Sequence, residues 1–318
     1  MGEQTAWRFT AGWGGMSTRV DANDRTDDEG STPVAVQESR VRAPRATRAT
    51  AKGDRADTGC APMVIAFFNQ KGGTAKTTST LNIGAALAER GHSVLAIDLD
   101  PQASLTMALG IDIQSLELSS YDLLIDEGVT AAMIAQPTRI PGLSLIPSHP
   151  DLAVAELELL NALERERSLS RKLSPEARKE LGARFILIDC PPSLNIVSIN
   201  ILVAMDYLVI PIEPHPLSIM VLPRLFDTVA RVRRLNPTMR NLGFLPTKVH
   251  GTSRLAKEMI VALHENFPDL TVLPSIPLSV QGAQSVAQYS SILDYSPRSP
   301  VAEAYRQVAR ELEKAVCP

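Results

Sequence analysis

From residue 63 onward the chain alternates short apolar runs with longer stretches in which apolar positions recur every three or four residues. The runs at 64–68, 94–97, 143–146, 185–188, 207–212 and 242–245 are almost continuously apolar. Strands with one solvated face alternate apolar and polar residues, so continuous runs predict strands buried on both faces of a parallel sheet. Residues 77–90 carry the helical period and end at Gly91, a helix-stopping residue. Asp151 stands where it can cap a helix bearing Leu152, Ala155, Leu159 and Leu163. Near the end, Tyr305, Val308 and Leu312 form one stripe of a helix over 301–316 and are assigned to the core. Strands alternating with helices predict an α/β fold: a mostly parallel twisted sheet with helices on both faces.

The first 60 residues lack this texture. They are rich in Gly, Thr, Ala, Asp and Arg and have no sustained period, which predicts a disordered tail at 1–60 ahead of a globular domain at 61–318. Charge is segregated within the tail. Asp24, Asp27, Asp28 and Glu29 come first, then Arg40, Arg42, Arg45, Arg48, Lys52 and Arg55. A solvated linker and a polyanion-binding arm both fit that pattern.

Composition narrows the classes. A chain of 318 residues with 44% hydrophobic content can bury a large core, and its net charge of −3 gives no global attraction to nucleic acid. Cys60, Cys190 and Cys317 stand far apart with no CxxC spacing, which argues against zinc and a disulfide framework. His149, His215, His250 and His264 form no metal-spaced pair and are assigned to loops or surface. No apolar run reaches the ~18 residues of a membrane span, and no secretory signal pattern opens the chain. The expected location is the cytoplasm.

The chemistry lies where the first strand meets the first helix. Asn69-Gln70-Lys71-Gly72-Gly73-Thr74-Ala75-Lys76-Thr77-Thr78 is a glycine-rich turn between a strand and a helix, the context that gives a P-loop match its meaning. Phosphate binding there needs backbone N–H groups, a helix N-terminus, a lysine and a hydroxyl for Mg²⁺. Gly72 and Gly73 permit the turn, Lys76 supplies the cation and Thr77 the hydroxyl. Three acidic residues, Asp98, Asp100 and Asp189, end or follow the second and fourth apolar runs. Ligands of open α/β sheets bind at the carboxyl ends of strands, so all three reach the P-loop edge, where carboxylates serve metal and water. The chain thus reads as a P-loop NTPase that binds ATP with Mg²⁺.

The sequence resembles the ParA/Soj/MinD family of P-loop ATPases, marked by a second lysine early in the loop, KGGxxK[ST]. Here that lysine is Lys71. The likeness continues through Asp98-Leu99-Asp100-Pro101-Gln102, Leu145-Ile146-Pro147-Ser148, Ile188-Asp189-Cys190-Pro191-Pro192-Ser193-Leu194 and Ser275-Ile276-Pro277. It is strongest to the ParA/Soj partitioning branch. The resemblance implies that Lys71 acts across an ATP-dependent homodimer, as a charge supplied in trans. It implies that Asp100 orients the attacking water, that Thr77 ligates Mg²⁺, and that Asp98 and Asp189 support the metal. Residues 72–78 and Pro277 would line the nucleotide. Hydrolysis would be slow and stimulated by a ParB-like or other partner, with the ATP dimer on nucleoid DNA.

Two positions depart from the family. Ala75 stands where many relatives have glycine, and a positive φ there would cost about 1 kcal/mol or more. The late arginines of Soj-like proteins are replaced by Leu278-Ser279-Val280-Gln281, which leaves Arg254 and the tail arginines as candidate DNA contacts. The alternative is a MinD-like positioning ATPase on a membrane or protein surface. A nitrogenase-like reductase would need bridging cysteines, and a dead P-loop scaffold conflicts with the complete set of polar groups.

Overall fold

A computed structural model describes residues 62–316. The expected tail, its charged residues, Cys60 and Cys317 lie outside the described residues. Eight strands form one sheet: β1 Met63–Phe67, β2 Val94–Asp98, β3 Gln136–Pro137, β4 Leu143–Ile146, β5 Phe185–Asp189, β6 Tyr207–Ile212, β7 Arg240–Pro246 and β8 Thr271–Val272. Their order across the sheet is β3-β4-β2-β5-β1-β6-β7-β8. Every pairing is parallel except that of β3 with β4. The six expected strands are all present, each within two residues of its expected bounds.

Side chains of β1 alternate between two cores. Val64 and Ala66 face one, with Ile186, Ile201, Leu202 and Phe226. Ile65 and Phe67 face the other, where the helix Lys76–Glu89 packs through Leu81, Ile83 and Leu87 against Tyr305, Val308 and Leu312 of the helix Pro300–Val316. Burial on both faces explains the continuous apolar runs. The Tyr305, Val308 and Leu312 stripe is fully packed, as its period predicts.

One detail of the sequence reading fails. The helix after Asp151 spans only Leu152–Leu160, and Leu163, assigned to its apolar face, is 90% exposed. Asp151 precedes that helix but gives it no side-chain cap; its carboxylate instead lies 3.1 Å from His149 Nδ1. The chain leaves the helix at Asn161, so the helical spacing that would bring Leu163 inward ends before reaching it.

Register then places the polar strand ends. Phe67 is level with Asp189, and Asp189 with Asp98, across the three central strands. The turn after β1 and both carboxylates therefore share one edge of the sheet. The chain departs from β1 to one side of the sheet, toward β2, and from β5 to the other, toward β6, which opens a crevice at that edge.

Candidate nucleotide site

Asn69 sets the start of the glycine turn. Its Nδ2 donates to the Pro211 carbonyl at 2.8 Å, and its Oδ1 accepts from the Lys71 N–H at 3.0 Å, which ties the loop to β6. Two left-handed residues then bend the chain, Gly73 with φ 73° and Ala75 with φ 61°. From Ala75 the first helical bond closes, with Ser79 N–H donating to the Ala75 carbonyl at 2.9 Å. A Cβ added at Gly72 would meet nothing within 4 Å, so the turn is open on the side where a ligand approaches.

Ala75 does occupy the strained conformation that the sequence left conditional. An L-residue there costs about 1–2 kcal/mol, partly offset by the smaller entropy of its unfolded chain. Ala75→Gly is therefore expected to raise stability by roughly 1 kcal/mol, or about 2–4 °C in Tm. Thermal unfolding without nucleotide checks this, and a lower Tm for the glycine variant contradicts the strain.

The two lysines of the turn point to different partners. Lys76 is 7% exposed and donates from Nζ to the Lys71 carbonyl at 3.2 Å, inside the loop. Burial lowers its pKa, against the neighbouring Cys190, Asp189 and Asp100, which favour its charge. Lys71 Nζ donates instead to Ser218 Oγ at 3.2 Å, on the short helix Pro216–Met220 after β6.

The carboxylates divide similarly. Asp98 is fully buried and accepts from Thr106 N–H at 2.9 Å, Thr106 Oγ1 at 2.7 Å and the Asp100 N–H at 3.2 Å. Burial pushes its pKa up to about 6 despite those bonds. Asp189 is also fully buried, yet among the described residues neither carboxylate oxygen has a hydrogen-bond partner. Burial, then the charge of Asp98, drives its pKa well up; the Thr77 hydroxyl is near enough to oppose this without completing a hydrogen bond. Asp100 is 9% exposed and its Oδ1 accepts from the Gln102 N–H at 2.9 Å.

These residues border a cleft of about 340 Å³ lined by Gly72, Gly73, Lys76, Thr77, Asp100 and Lys248, among others. Ala75 and Thr78 also line it, whereas Thr74 is buried beneath and Asp98 and Asp189 sit behind. Lys71 and Pro277 are not in the lining; Pro277 bridges to Val249. An unpartnered buried carboxylate beside a threonine hydroxyl and a lysine is a donor set that suits a hydrated Mg²⁺ carrying phosphates. Among the described residues, no three His, Cys, Asp or Glu side chains form a metal cage of their own.

Sequence reasoning missed four supporting residues. Thr106 Oγ1 donates to Asp98 and accepts from the Ser148 N–H at 2.9 Å, while Ser148 Oγ donates to the Asp100 carbonyl at 2.8 Å. Thr106 and Ser148 thereby fix both acidic residues. Ser218 holds Lys71, and Thr247 Oγ1 donates to the Thr74 carbonyl at 3.1 Å. Ser148 belonged to a motif noted in the sequence; the others had no signal there.

A left-handed glycine turn between strand and helix, a buried lysine, and strand-end carboxylates define a P-loop nucleotide-binding protein. Residues 62–241 match the AAA domain family. The chain is 37% identical to the sporulation initiation inhibitor protein Soj of Bacillus subtilis over 250 residues, 78% of this chain and 97% of Soj. It is 34% identical to the chromosome partitioning protein ParA of Caulobacter vibrioides over 253 residues, 78% of this chain and 93% of that protein. Among solved structures, a Mycobacterium smegmatis protein described as cobyrinic acid a,c-diamide synthase, with bound ATP analogue and magnesium, superimposes with TM-score 0.69. It is 33% identical, with 80% of this chain and 95% of that one covered. The chain belongs to the ParA/Soj/MinD family of P-loop ATPases.

Proposed function

We propose that this protein is an ATP-dependent dimerising switch of the ParA/Soj type, with slow hydrolysis and a ParB-like or other stimulating partner, acting in chromosome or cargo partitioning. The observation that carries this reading is the division of labour between two lysines five positions apart. Lys76 sits inside the phosphate turn, whereas Lys71 leans out of it onto Ser218. A cation outside its own cradle is available to the phosphates of a second copy.

In this reading the N–H groups of residues 72–78 and the Lys76 ammonium hold the phosphates of Mg-ATP. Thr77 would ligate Mg²⁺, and Asp98 and Asp189 would order its waters. Mg²⁺ held there would supply neutralisation of the phosphate charge that opposes attack by water. Asp100, at the cleft wall, orients that water.

Lys71→Ala tests the reading. Losing one partner of a charge pair desolvated between two subunits costs about 2–5 kcal/mol, so dimer affinity should fall at least ~30-fold. Monomer affinity for Mg-ATP should stay close to wild type. Sizing with a non-hydrolysable ATP analogue reads the first and calorimetry the second; wild-type dimerisation makes Lys71 a surface lysine only.

DNA is the proposed surface. Arg40, Arg42, Arg45, Arg48, Lys52 and Arg55 lie outside the described residues, and their sequence supplies the charge that the late segment lacks. Each phosphate contact contributes about −0.9 to the slope of log affinity against log salt. Two arms per dimer would make weak contacts avid. Deleting residues 1–58 is expected to abolish most sequence-independent binding in a salt series by anisotropy; equal affinity of the truncated chain assigns binding to globular residues such as Arg254. The helix Pro300–Val316 packs its apolar stripe on the core, which leaves that stripe unavailable to a membrane surface.

A further inference from the structure

Three residues with side chains hold left-handed backbone around the cleft: Ala75, Ala103 and Lys248, with φ 61°, 50° and 53°. Such strain persists only where the surroundings impose it, and it clusters at functional sites. Ala75 shapes the phosphate turn and Ala103 precedes Ser104 of the cleft wall. Lys248 has no part in the phosphate machinery described above.

Its backbone is fixed from both sides. Thr247, fully buried, donates its N–H to the Ile212 carbonyl at 2.8 Å and its hydroxyl to the Thr74 carbonyl. Val249 donates to the Ile276 carbonyl at 3.0 Å, and its carbonyl accepts from the Leu278 N–H at 3.1 Å. The strained lysine is thus clamped between the β6 end, the phosphate turn and the segment around Pro277. Its Nζ lies 3.9 Å from the position a Cβ on Gly73 would take. No carboxylate pairs with it among the described residues, unlike Arg254, which pairs with Glu258. The rest of the cleft lining includes the apolar Leu81, Ala108 and Val286.

A lysine stem is a four-carbon apolar wall ending in a point charge. We propose that Lys248 is a nucleotide-binding residue that serves the nucleoside: its stem covers the ribose and base, and its ammonium holds the Gly73 turn. This rests on the reading of the cleft as a Mg-nucleotide site. It accounts for the placement of the residue, since the side chain lines the cleft with its ammonium beside Gly73, and an ammonium without a carboxylate is free for the turn.

Calorimetry on the full chain tests it with two probes, Mg-ADP and Mg-tripolyphosphate, the second having phosphates without a nucleoside. Lys248→Asn removes stem and charge yet accepts a left-handed backbone, so it should keep the wild-type Tm. Lys248→Met keeps the stem and removes the charge. The Asn variant is expected to bind Mg-ADP at least tenfold more weakly and tripolyphosphate within twofold of wild type, with the Met variant within threefold for both. Unchanged Mg-ADP affinity in the Asn variant overturns the inference. So does a parallel loss of tripolyphosphate, which makes Lys248 a phosphate cation, or a Met variant as weak as Asn. Wild-type protein that fails to bind Mg-ADP overturns the nucleotide reading itself and this inference with it, whereas the other outcomes leave that reading intact.

Discussion

Lys76→Ala is expected to leave a folded protein that no longer binds Mg-ATP. Its ammonium donates to the Lys71 carbonyl inside the phosphate turn, and hydrogen bonds to charged groups contribute about 1.5–3 kcal/mol each. Removing it also leaves the phosphates facing Asp189 and Asp100, which the ammonium otherwise balances. Affinity should therefore fall at least ~100-fold, roughly 2.7 kcal/mol, from loss of attraction and uncovered repulsion together. The apo fold should survive, because burial of this lysine is a cost to the folded chain. Thermal unfolding reads both points. Nucleotide at a hundred times its Kd stabilises a protein by about 2.7 kcal/mol, so wild type should shift upward in Tm and the variant should not. A full shift in the variant removes Lys76 from the site.

Asp100→Ala should separate binding from turnover. The carboxylate lines the cleft and its Oδ1 accepts only the nearby Gln102 N–H. Its backbone carbonyl, which anchors Ser148, survives the substitution, so the acidic turn keeps its main tie. General base or water-orienting groups contribute about 10²–10⁴-fold to rate. Turnover is expected to fall in that range. Mg-ATP affinity should hold or rise, since one negative charge leaves the phosphate side, and dimers should accumulate. Phosphate release together with sizing measures both; wild-type turnover in this variant assigns water orientation elsewhere.

Much of the fold was legible because the central strands are buried on both faces, which turns each into a continuous apolar run. The same burial hid other elements. The helix Ile196–Ala204 is apolar nearly all round, with eight of its nine residues buried, so it carries no helical period to read. β3 and β8 are two residues each, too short for any pattern, and β3 contains a proline that only an edge strand tolerates.

The site divides in the same way. Local chemistry was readable: the turn, its lysines, and carboxylates at strand ends that register then brings level. Long-range support was not. Ser218 stands 147 positions from Lys71, and Thr247 stands 173 from Thr74. The parallel pairing of β1 with β6, and of β6 with β7, brings the residues that follow those strands to the turn after β1. Lys248 was invisible for a further reason, since nothing in its sequence context marks a left-handed lysine.

The measurement that bears most directly on the account is the mass of the full chain in solution by light scattering. It is taken with Mg²⁺ and a non-hydrolysable ATP analogue, then with Mg-ADP, at one protein concentration. The account predicts dimers with the ATP analogue and monomers with ADP. The same mass in both states contradicts a switch driven by the terminal phosphate.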